Sequence, residues 1–339
     1  MQSVYRTSPY ACYSLAWSPF HPHRLAVAGA ANFGLVGNGR LLTLTPQGIE
    51  KAYTTQDGVY DVAWNELHEN QVVGGSGDGS IKLWDLAVPD FPIRNWHEHG
   101  REVFSVDWSN LDKRLFCSSS WDGSIKLFTP DRPASLLTIP AAQTCTYAAL
   151  FSPHQPALIA SCASSGLLTL FDVRLPNLPQ STTPTPGPTA PATPALSVPA
   201  SPGELLTLDW NKYAPHTIAT SGVDKIVRVW DTRMLGHGGN VGGVCTGSLA
   251  GHQYAVRKVQ WSAHRADVIA SASYDMTCRI WTTQPASPAS PTQLYVYEPH
   301  TEFVVGCAWS FFDEDVLATC SWDQTVQVFR PPLPPPKHM

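Results

Sequence analysis

A two-part motif recurs along most of the chain, and its spacing constrains the fold more than any other feature. Its first part is a short apolar segment that ends in an aromatic anchor, and its second is a turn residue followed by an alternating segment. The anchors are Trp17, Trp64, Trp108, Phe151, Trp210, Trp261 and Trp309. The turn residues are Asp78, Asp122, Ser165, Asp224, Asp275 and Asp323, each 14 residues after its anchor. Because anchor and turn move together through steps of 44, 43, 59, 51 and 48 residues, they belong to one repeated unit.

The interior of each unit predicts β-strands. Residues 80–84 (SIKLW) and 325–329 (TVQVF) alternate apolar and polar side chains, and an Asp-Gly pair marks a tight turn before the first. Strands of about five residues in units of ~40–45 residues are typical of propeller blades. The units resemble WD repeats, whose Trp-Asp pair stands here as Trp84-Asp85 and Trp230-Asp231. Seven copies predict an all-β, seven-bladed WD-repeat β-propeller that occupies residues 1–330 as one domain.

The chain has two proline-rich stretches, one at 331–339 and one between the fourth and fifth anchors. After Phe329 only Arg330 and a proline-rich tail at 331–339 remain, and proline cannot donate to a hydrogen-bond ladder. We therefore expect an N-terminal strand around residues 3–7 to supply the outer strand of the seventh blade. The long step of 59 residues predicts a proline-rich loop at 176–195, inserted after the inner strands of blade 4.

Composition excludes several classes of protein. With 22 Lys and Arg against 27 Asp and Glu, the chain lacks the basic surface of a nucleic-acid-binding domain. The N-terminus has no basic region followed by an apolar stretch, and prolines interrupt the uncharged residues 134–171. We therefore expect no secretory signal, no membrane insertion and an intracellular location. The eight cysteines form no C-x-x-C pair, which favours buried free thiols over disulfides or zinc.

A set of His, Ser, Asp and Trp residues recurs near the turns. Its copies are His252, Ser271 or Ser273, Asp275 and Trp281; His99 and Asp122; and His300 and Asp323. A catalytic Ser-His-Asp triad is one interpretation, but a nucleophile site does not occur in triplicate, whereas a structural hydrogen-bond network in a repeat does. WD repeats use such a tetrad structurally. No metal-ligand spacing and no phosphate-binding glycine loop occurs, so we expect no metal, no cofactor and no enzymatic activity.

The remaining candidate for function is one face of the ring, where the loops into the innermost strands and the turns open together. The fourth residues before the anchors are Tyr13, Tyr60, Phe104, Tyr147, Leu206, Arg257 and Val305. The residues before the turn Asp include Trp121, Tyr274 and Trp322, and the acids nearby are Asp61, Glu102, Glu204 and Glu302. Any single aromatic here is as consistent with packing as with binding. Several on one rim, with acids beside them, predict a surface that binds an apolar peptide carrying Arg or Lys.

Four stretches resemble one particular family of WD-repeat proteins. Residues 98–109 (EHGREVFSVDWS), 251–262 (GHQYAVRKVQWS), 273–281 (SYDMTCRIW) and 300–310 (HTEFVVGCAWS) are similar to receptors for type-2 peroxisomal targeting signals, the peroxin-7 family. The resemblance implies a cytosolic import receptor that shuttles to the peroxisome. Its cargo carries an N-terminal signal of the form Arg-Leu-x5-His-Leu, and the partners implied are a co-receptor and docking proteins at the peroxisome.

The resemblance also implies roles for the rim residues. The leucines of a helical signal would lie on Tyr60, Phe104, Trp121, Tyr147 and Trp322. The arginine of the signal would meet Glu102 or Asp61, and we favour Glu102. Arg257 is out of place for a cationic ligand, so it either pairs with an acid such as Glu204 or contacts a second protein.

A second class of protein stays open on the sequence alone. Residues 218–233 (IATSGVDKIVRVWDTR) contain Trp230, Asp231 and Arg233 in a W-D-x-R box. This box resembles the adaptor-binding box of substrate receptors of cullin ubiquitin ligases. The structural alternative is that Arg233 caps its own blade. Binding to peroxisomal cargo or to a ligase adaptor distinguishes the two functions.

Overall fold

The chain folds into a closed ring of seven four-stranded antiparallel sheets. The computed structural model describes residues 2–34, 37–88, 90–174, 194–234, 244–285, 287 and 292–335. Within these ranges the helical segments are two short 3-10 turns, Ala31–Gly34 and Thr232–Met234. The prediction of an all-β, seven-bladed propeller is confirmed.

Four strand positions recur in every blade, from the innermost strand to the outer one. The innermost strands are β2 (Ala11–Trp17), β6 (Val59–Trp64), β10 (Val103–Trp108), β14 (Thr146–Phe151), β18 (Leu205–Trp210), β22 (Val256–Trp261) and β26 (Val304–Trp309). The second strands are β3 (Leu25–Ala30), β7 (Gln71–Ser76), β11 (Phe116–Ser120), β15 (Leu158–Ala163), β19 (Thr217–Gly222), β23 (Val268–Ser273) and β27 (Leu317–Ser321).

The third and outer strands complete the blades, which we number 1 to 7 in the order of their innermost strands. The third strands are β4 (Gly39–Thr45), β8 (Ser80–Asp85), β12 (Ser124–Phe128), β16 (Leu167–Asp172), β20 (Val227–Asp231), β24 (Cys278–Thr282) and β28 (Thr325–Phe329). The outer strands are β5 (Gly48–Thr55), β9 (Arg94–His97), β13 (Leu137–Pro140), β17 (Leu196–Pro199), β21 (Cys245–Leu249), β25 (Gln293–Tyr297) and, in blade 7, β1 (Gln2–Arg6).

The N-terminal strand closes the ring. β1 pairs antiparallel with β28, from Gln2 opposite Phe329 to Arg6 opposite Thr325. The side chain of Gln2 also donates a hydrogen bond to the hydroxyl of Tyr297 (2.9 Å). The predicted closure is therefore confirmed, with the strand at residues 2–6 and one position earlier than expected.

Four of the seven aromatic anchors join neighbouring blades through hydrogen bonds. The indole Nε1 of Trp17 donates to the carbonyl of Ala308 in the preceding blade (2.9 Å), and Trp64 does the same to Ala16 (2.9 Å). Two further blades repeat the bond, from Trp210 to Leu150 (3.4 Å) and from Trp309 to Gln260 (3.2 Å). In each case the acceptor is the residue just before the anchor of the preceding blade. In these four blades the buried indole N–H gains a partner across the blade boundary, which favours tryptophan at the anchor position. Trp108 instead donates to the carbonyl of Lys113 in its own blade (2.7 Å).

The cysteines contribute to packing. All eight are free thiols, and six of them are buried. Burial is the main cause that raises the pKa of the Cys12 thiol to about 12, although Thr7 lies within hydrogen-bond distance of its sulfur (3.2 Å). Such a thiol stays protonated at neutral pH and behaves as a small apolar side chain.

The two proline-rich predictions are covered only in part. The loop predicted at 176–195 lies outside the described residues except for its last two, which lead into β17, the outer strand of blade 4. Of the tail at 331–339, residues 331–335 are described. Leu333 packs against the core between blades 6 and 7, and the carbonyl of Pro334 accepts a hydrogen bond from the buried Arg265 (2.8 Å).

Candidate functional site

The innermost strands share a β-bulge that explains how one sequence position reaches the centre of the ring. In each blade the pairing between the first and second strands slips by one residue. The unpaired residues are Tyr13, Tyr60, Phe104, Tyr147, Leu206, Arg257 and Val305. A bulge re-aims the side chain of its extra residue. All seven side chains line one mouth of the central channel, and the cavity left between them is only about 10 Å³.

Eight aromatic rings form a continuous surface around this mouth, which we call the aromatic arc. Its members are Tyr13, Tyr60, Phe104, Trp121, Tyr147, Tyr274, Phe303 and Trp322, with successive ring centroids 4.9–6.4 Å apart. Offset or tilted rings at such distances attract one another. The sequence pattern led us to seven of these residues and missed Phe303. The signal for Phe303 was present, because it lies six residues before its anchor, as Glu102 and Glu204 do.

The arc has a buried floor and a more accessible upper layer. Tyr13 and Tyr60 are only 8% and 9% exposed, so they form the floor. Phe104 stacks on Trp121 with an interplanar angle of 21°, and both rings are half-buried. Burial raises the pKa of the Tyr147 hydroxyl, and its hydrogen bond to Glu204 acts in the same direction (2.9 Å). Tyr147 therefore stays protonated and keeps Glu204 at the rim.

Three carboxylates lie at or near the surface of the arc. Glu102 carries its carboxylate 3.6 Å from the guanidinium of Arg101, and both side chains are accessible to solvent. The backbone of Glu102 accepts a hydrogen bond from the Trp121 amide (3.0 Å), which holds it beside the stacked rings. Glu204 and Glu302 are exposed. The arrangement offers a guanidinium group a carboxylate next to an aromatic face.

Asp61, the other acid that we considered for an arginine ligand, lies below the rim. It is 7% exposed, and its two oxygens accept hydrogen bonds from the Ser14 hydroxyl (2.5 Å) and the Val106 amide (2.9 Å). Through these two bonds Asp61 joins the innermost strands of blades 1, 2 and 3, and both of its oxygens are already bonded within the fold. Of the two acids considered for the signal arginine, Glu102 is the one that combines access with proximity to the arc.

Arg257 takes a position that the sequence did not indicate. It belongs to blade 6, yet its guanidinium carbon lies 4.7 Å from the ring centroid of Phe104 in blade 3, across the mouth of the channel. Within the described residues, no carboxylate oxygen lies within 4 Å of its guanidinium nitrogens. The proposed pairing with Glu204 is absent from this part of the chain, where Glu204 bonds to Tyr147 instead. A contact with a second protein stays a prediction.

Carboxylates below the rim act as links between blades. Asp107 accepts a hydrogen bond from the Phe151 amide (2.7 Å), and Asp209 accepts one from the Trp261 amide (2.7 Å). Asp209 also accepts from Lys212 (2.8 Å). Desolvation, followed by the nearby charges of other aspartates, raises the pKa of Asp107 to about 7. The accessible part of Asp107 faces a channel cavity of about 180 Å³.

The recurring histidines hold three hydrogen-bond networks. His252 Nδ1 lies 2.8 Å from Asp275 Oδ2, and its Nε2 lies 2.7 Å from Ser271 Oγ, to which Trp281 Nε1 also donates (2.7 Å). His99 joins Asp122 to Ser118 (2.9 and 2.7 Å), and His300 joins Asp323 to Thr319 (2.8 and 2.9 Å). Ser271 is 0% exposed, so its hydroxyl is closed to a substrate. Ser273 instead donates to backbone carbonyls of the loop before blade 6.

The W-D-x-R box also has partners inside its own blade. Arg233 donates to both oxygens of Asp231 (3.0 and 2.6 Å), and the buried Trp230 donates to the hydroxyl of Thr220 (2.8 Å). Arg174 binds Asp172 in the same way at the corresponding place in blade 4. The recurrence indicates a turn that caps the third strand.

Neither a cluster of metal ligands nor a membrane-spanning helix occurs among the described residues. No group of three or more His, Cys, Asp or Glu side chains within the described ranges is arranged to hold a metal ion. None of the helical segments in those ranges has the length and apolar character needed to cross a bilayer.

A separate cavity of about 450 Å³ lies at the ring closure beside Tyr5, Trp17 and Phe329. It shares no residue with the arc.

The fold and its repeats define the class: the chain is a WD-repeat β-propeller. The family model for the WD domain, G-beta repeat, matches residues 48–85, 91–129, 243–282 and 291–330. The peroxisomal targeting signal 2 receptors of Saccharomyces cerevisiae and Komagataella phaffii are 35% and 38% identical to the chain, covering 96% of it and 98% of their own lengths. That of Mus musculus is 35% identical over 94% of this chain and 93% of its own. The chain belongs to the family of peroxisomal targeting signal 2 receptors.

Proposed function

We propose that the chain is an import receptor that binds type-2 peroxisomal targeting signals on the aromatic arc. The observation that carries this proposal is the convergence of eight rings and three carboxylates on one mouth of the propeller. The ligand is an amphipathic helix of the form Arg-Leu-x5-His-Leu. Its first and eighth residues are two turns apart, about 10.5 Å along the axis, so they lie on one face with the second and ninth beside them.

The shape of the mouth supports a ligand that lies across it. A cavity of about 10 Å³ holds no more than one water molecule, so a helix cannot enter the channel. The half-buried rings of Trp121, Tyr147 and Trp322 offer apolar surface to the leucines, beside Phe104 and above the floor formed by Tyr60. Rigid aromatic side chains lose little conformational entropy on binding and commonly dominate the affinity of such surfaces.

Charge supports Glu102 as the partner of the signal arginine. Its carboxylate is accessible beside Trp121, and its ion-pair partner Arg101 lies 3.6 Å away in a solvent-exposed pair. An exposed pair of this kind contributes little, so a bidentate guanidinium from the ligand can replace it. A hydrogen bond to a charged group contributes about 1.5–3 kcal/mol, or roughly ten- to a hundredfold in affinity.

The family supports a wider cycle for the same chain. We propose that it binds cargo proteins in the cytoplasm, delivers them to the peroxisome together with a co-receptor and docking proteins, and returns. In this cycle it recognises its cargo without chemical change. It needs no nucleic acid, cofactor or direct membrane insertion.

The test is direct binding of a labelled synthetic signal, measured by fluorescence anisotropy with and without a co-receptor. The expected result is saturable binding that weakens at least about tenfold when the same residues are scrambled, because the arginine and leucines then leave the common face. A pull-down provides the competing outcome. Capture of a cullin-ligase adaptor through Arg233, with no preference for the signal peptide under either condition, would overturn the proposal.

A further inference from the structure

Arg257 is the one bulge residue whose chemistry opposes a cationic ligand. Blades 3 and 6 lie nearly opposite in the ring, so the side chain bridges the mouth to reach the face of Phe104. It is half-buried and lines the mouth together with Lys258. The centre of an otherwise acidic and aromatic rim is therefore cationic.

Within the described ranges, no hydrogen bond from the Arg257 guanidinium accompanies its contact with Phe104. A guanidinium group has five N–H donors, and the face of a phenyl ring attracts its charge without accepting conventional hydrogen bonds. Among the described residues, no salt-bridge partner lies within 4 Å of it. Partial burial of a charge that lacks a counter-ion is unfavourable, so a ligand gains affinity by bringing an acceptor to this point.

We propose that Arg257 is a specificity-determining residue that donates hydrogen bonds to a neutral acceptor on the bound helix. This inference rests on the proposed function. In the signal given above, the acceptor is the side chain at the eighth position, two turns from the arginine on the same face. A neutral imidazole nitrogen serves this role, and so does the amide oxygen of glutamine, whereas a cation at that position is repelled.

Together, Glu102 and Arg257 favour one orientation of the bound helix over the other. Glu102 attracts the charged end of the helix, and Arg257 disfavours any cation at the other end. A helix bound in the reverse orientation would bring its arginine to Arg257 and its acceptor to Glu102. One attractive and one repulsive position together discriminate better than two attractive ones.

The test compares signals that differ only at the eighth residue, His or Gln, at pH 7.5 and pH 5.5. A peptide histidine has a pKa of about 6.5, so its neutral fraction falls about tenfold between these pH values. We expect the affinity of the His signal to fall by about the same factor, because the imidazolium has no acceptor nitrogen and carries a like charge. The Gln signal lacks this titration, and its affinity measures any other effect of pH.

That comparison is needed because other ionisable groups surround Arg257. The ionisable groups that line the same mouth are Tyr13, Tyr60, Asp61, Tyr147 and Lys258, with Cys162 below it and Glu102 and Glu204 beside the arc. Burial raises the pKa of Tyr13, Tyr147 and Cys162, so these three keep their protons throughout the range. Asp107, with a pKa of about 7, does titrate below the rim and affects both signals alike.

Three receptor variants complete the test. Arg257→Gln should bind both signals about tenfold more weakly and lose the difference in their pH dependence, because a neutral amide does not repel imidazolium. Arg257→Lys keeps the charge and should keep the pH difference, which provides a second measurement if the Gln variant melts early. Arg233→Gln, an exposed arginine in the cap of blade 5, is the matched control and should bind as the unchanged chain does.

The outcomes separate this inference from the proposed function. Suppose that the unchanged chain binds the signal. Equal pH dependence of the His and Gln signals, or full affinity of Arg257→Gln, then overturns the role of Arg257 alone. Full affinity for a signal with Lys at the eighth position does the same. If neither signal binds under any of these conditions, the proposed function fails and the role of Arg257 fails with it.

Discussion

The two sides of the rim use the same backbone device for different chemistry. Blades 7 and 1–4 supply seven of the eight rings of the aromatic arc, whereas the bulges of blades 5 and 6 supply Leu206 and Arg257. The β-bulge fixes where each side chain points, and the residue at that position decides what it can bind. A symmetrical ring thus becomes an asymmetric surface, which suits a ligand that is charged at one end.

The same contrast continues below the rim. Asp107 under the aromatic side and Asp209 under the cationic side occupy equivalent positions, each accepting the backbone amide of the next anchor. Lys212 forms an ion pair with Asp209 at 2.8 Å, whereas desolvation of Asp107 outweighs the attraction of the same lysine and raises the pKa of Asp107 to about 7. Equivalent positions in a repeat therefore contribute differently to stability when only one of them forms a direct ion pair with the nearby lysine.

The largest effect is expected at the ring closure, which supports the blade 7 end of the arc. Deleting residues 1–8 removes the whole β1 ladder and exposes the edge of β28. With each lost hydrogen bond contributing about 1 kcal/mol, we expect the melting temperature to fall by roughly 10 °C or more. Scanning calorimetry measures this, with Val4→Thr as the control because Val4 is exposed and its backbone is retained. An unchanged melting temperature after the deletion would refute closure by this strand.

The second effect compares one residue from each side of the rim. Phe104→Ala removes a ring that touches Tyr60, Trp121, Tyr147 and Arg257, so we expect signal affinity to fall roughly ten- to a hundredfold. Leu206→Ala truncates the equivalent bulge residue of blade 5, which is buried, and should change affinity less than about threefold. Isothermal titration calorimetry gives both values. Equal losses in the two variants would remove the distinction between the two sides.

The smallest effect is expected from the channel aspartates. Asp107→Asn keeps an acceptor for the Phe151 amide and removes a buried carboxylate. Its folded pKa of about 7 lies above the unfolded value of about 3.9, so the unchanged chain loses stability as pH rises through this interval. We expect the variant to be more stable by about 1 kcal/mol at pH 8, since channel water moderates the cost, and the gain to shrink towards pH 5.

Asp209→Asn is the matched comparison for that measurement. It separates Lys212 from its carboxylate and should destabilise the fold by about 1 kcal/mol at pH 8. Urea denaturation at the two pH values gives both differences. A destabilised Asp107→Asn variant at pH 8 would show that the two positions are equivalent after all.

The repeat made the ring predictable. Fixed spacing between anchor and turn indicated the number of blades, and counting strands indicated that β1 must complete blade 7. The fourth residue before each anchor lies at the mouth in all seven blades, while its role in binding stays a prediction. These structural predictions succeed because each depends on a short-range sequence pattern that is repeated in every blade.

The details of the candidate site depended on contacts that a pattern does not contain. A shift of one residue within the six-residue strand β6 makes its alternation of inward and outward side chains ambiguous. The sequence therefore predicted neither the bulge beside Asp61 nor the burial of the Asp61 carboxylate. The contact between Arg257 and Phe104 joins blades far apart in the sequence. Phe303 was overlooked because its equivalents in other repeats are mostly small or acidic.

A charge exchange between Glu102 and the signal arginine tests recognition at the rim most directly. Two peptides are compared, the Arg signal and the same peptide with Glu in its first position. Their affinities are measured for the unchanged chain, for Glu102→Lys and for the control Glu69→Lys, which lies on the opposite face of the propeller. We predict that Glu102→Lys weakens the Arg signal at least about tenfold, that the Glu signal recovers part of this loss only on that variant, and that Glu69→Lys has no effect. Unchanged affinity of Glu102→Lys for the Arg signal would contradict recognition at this carboxylate.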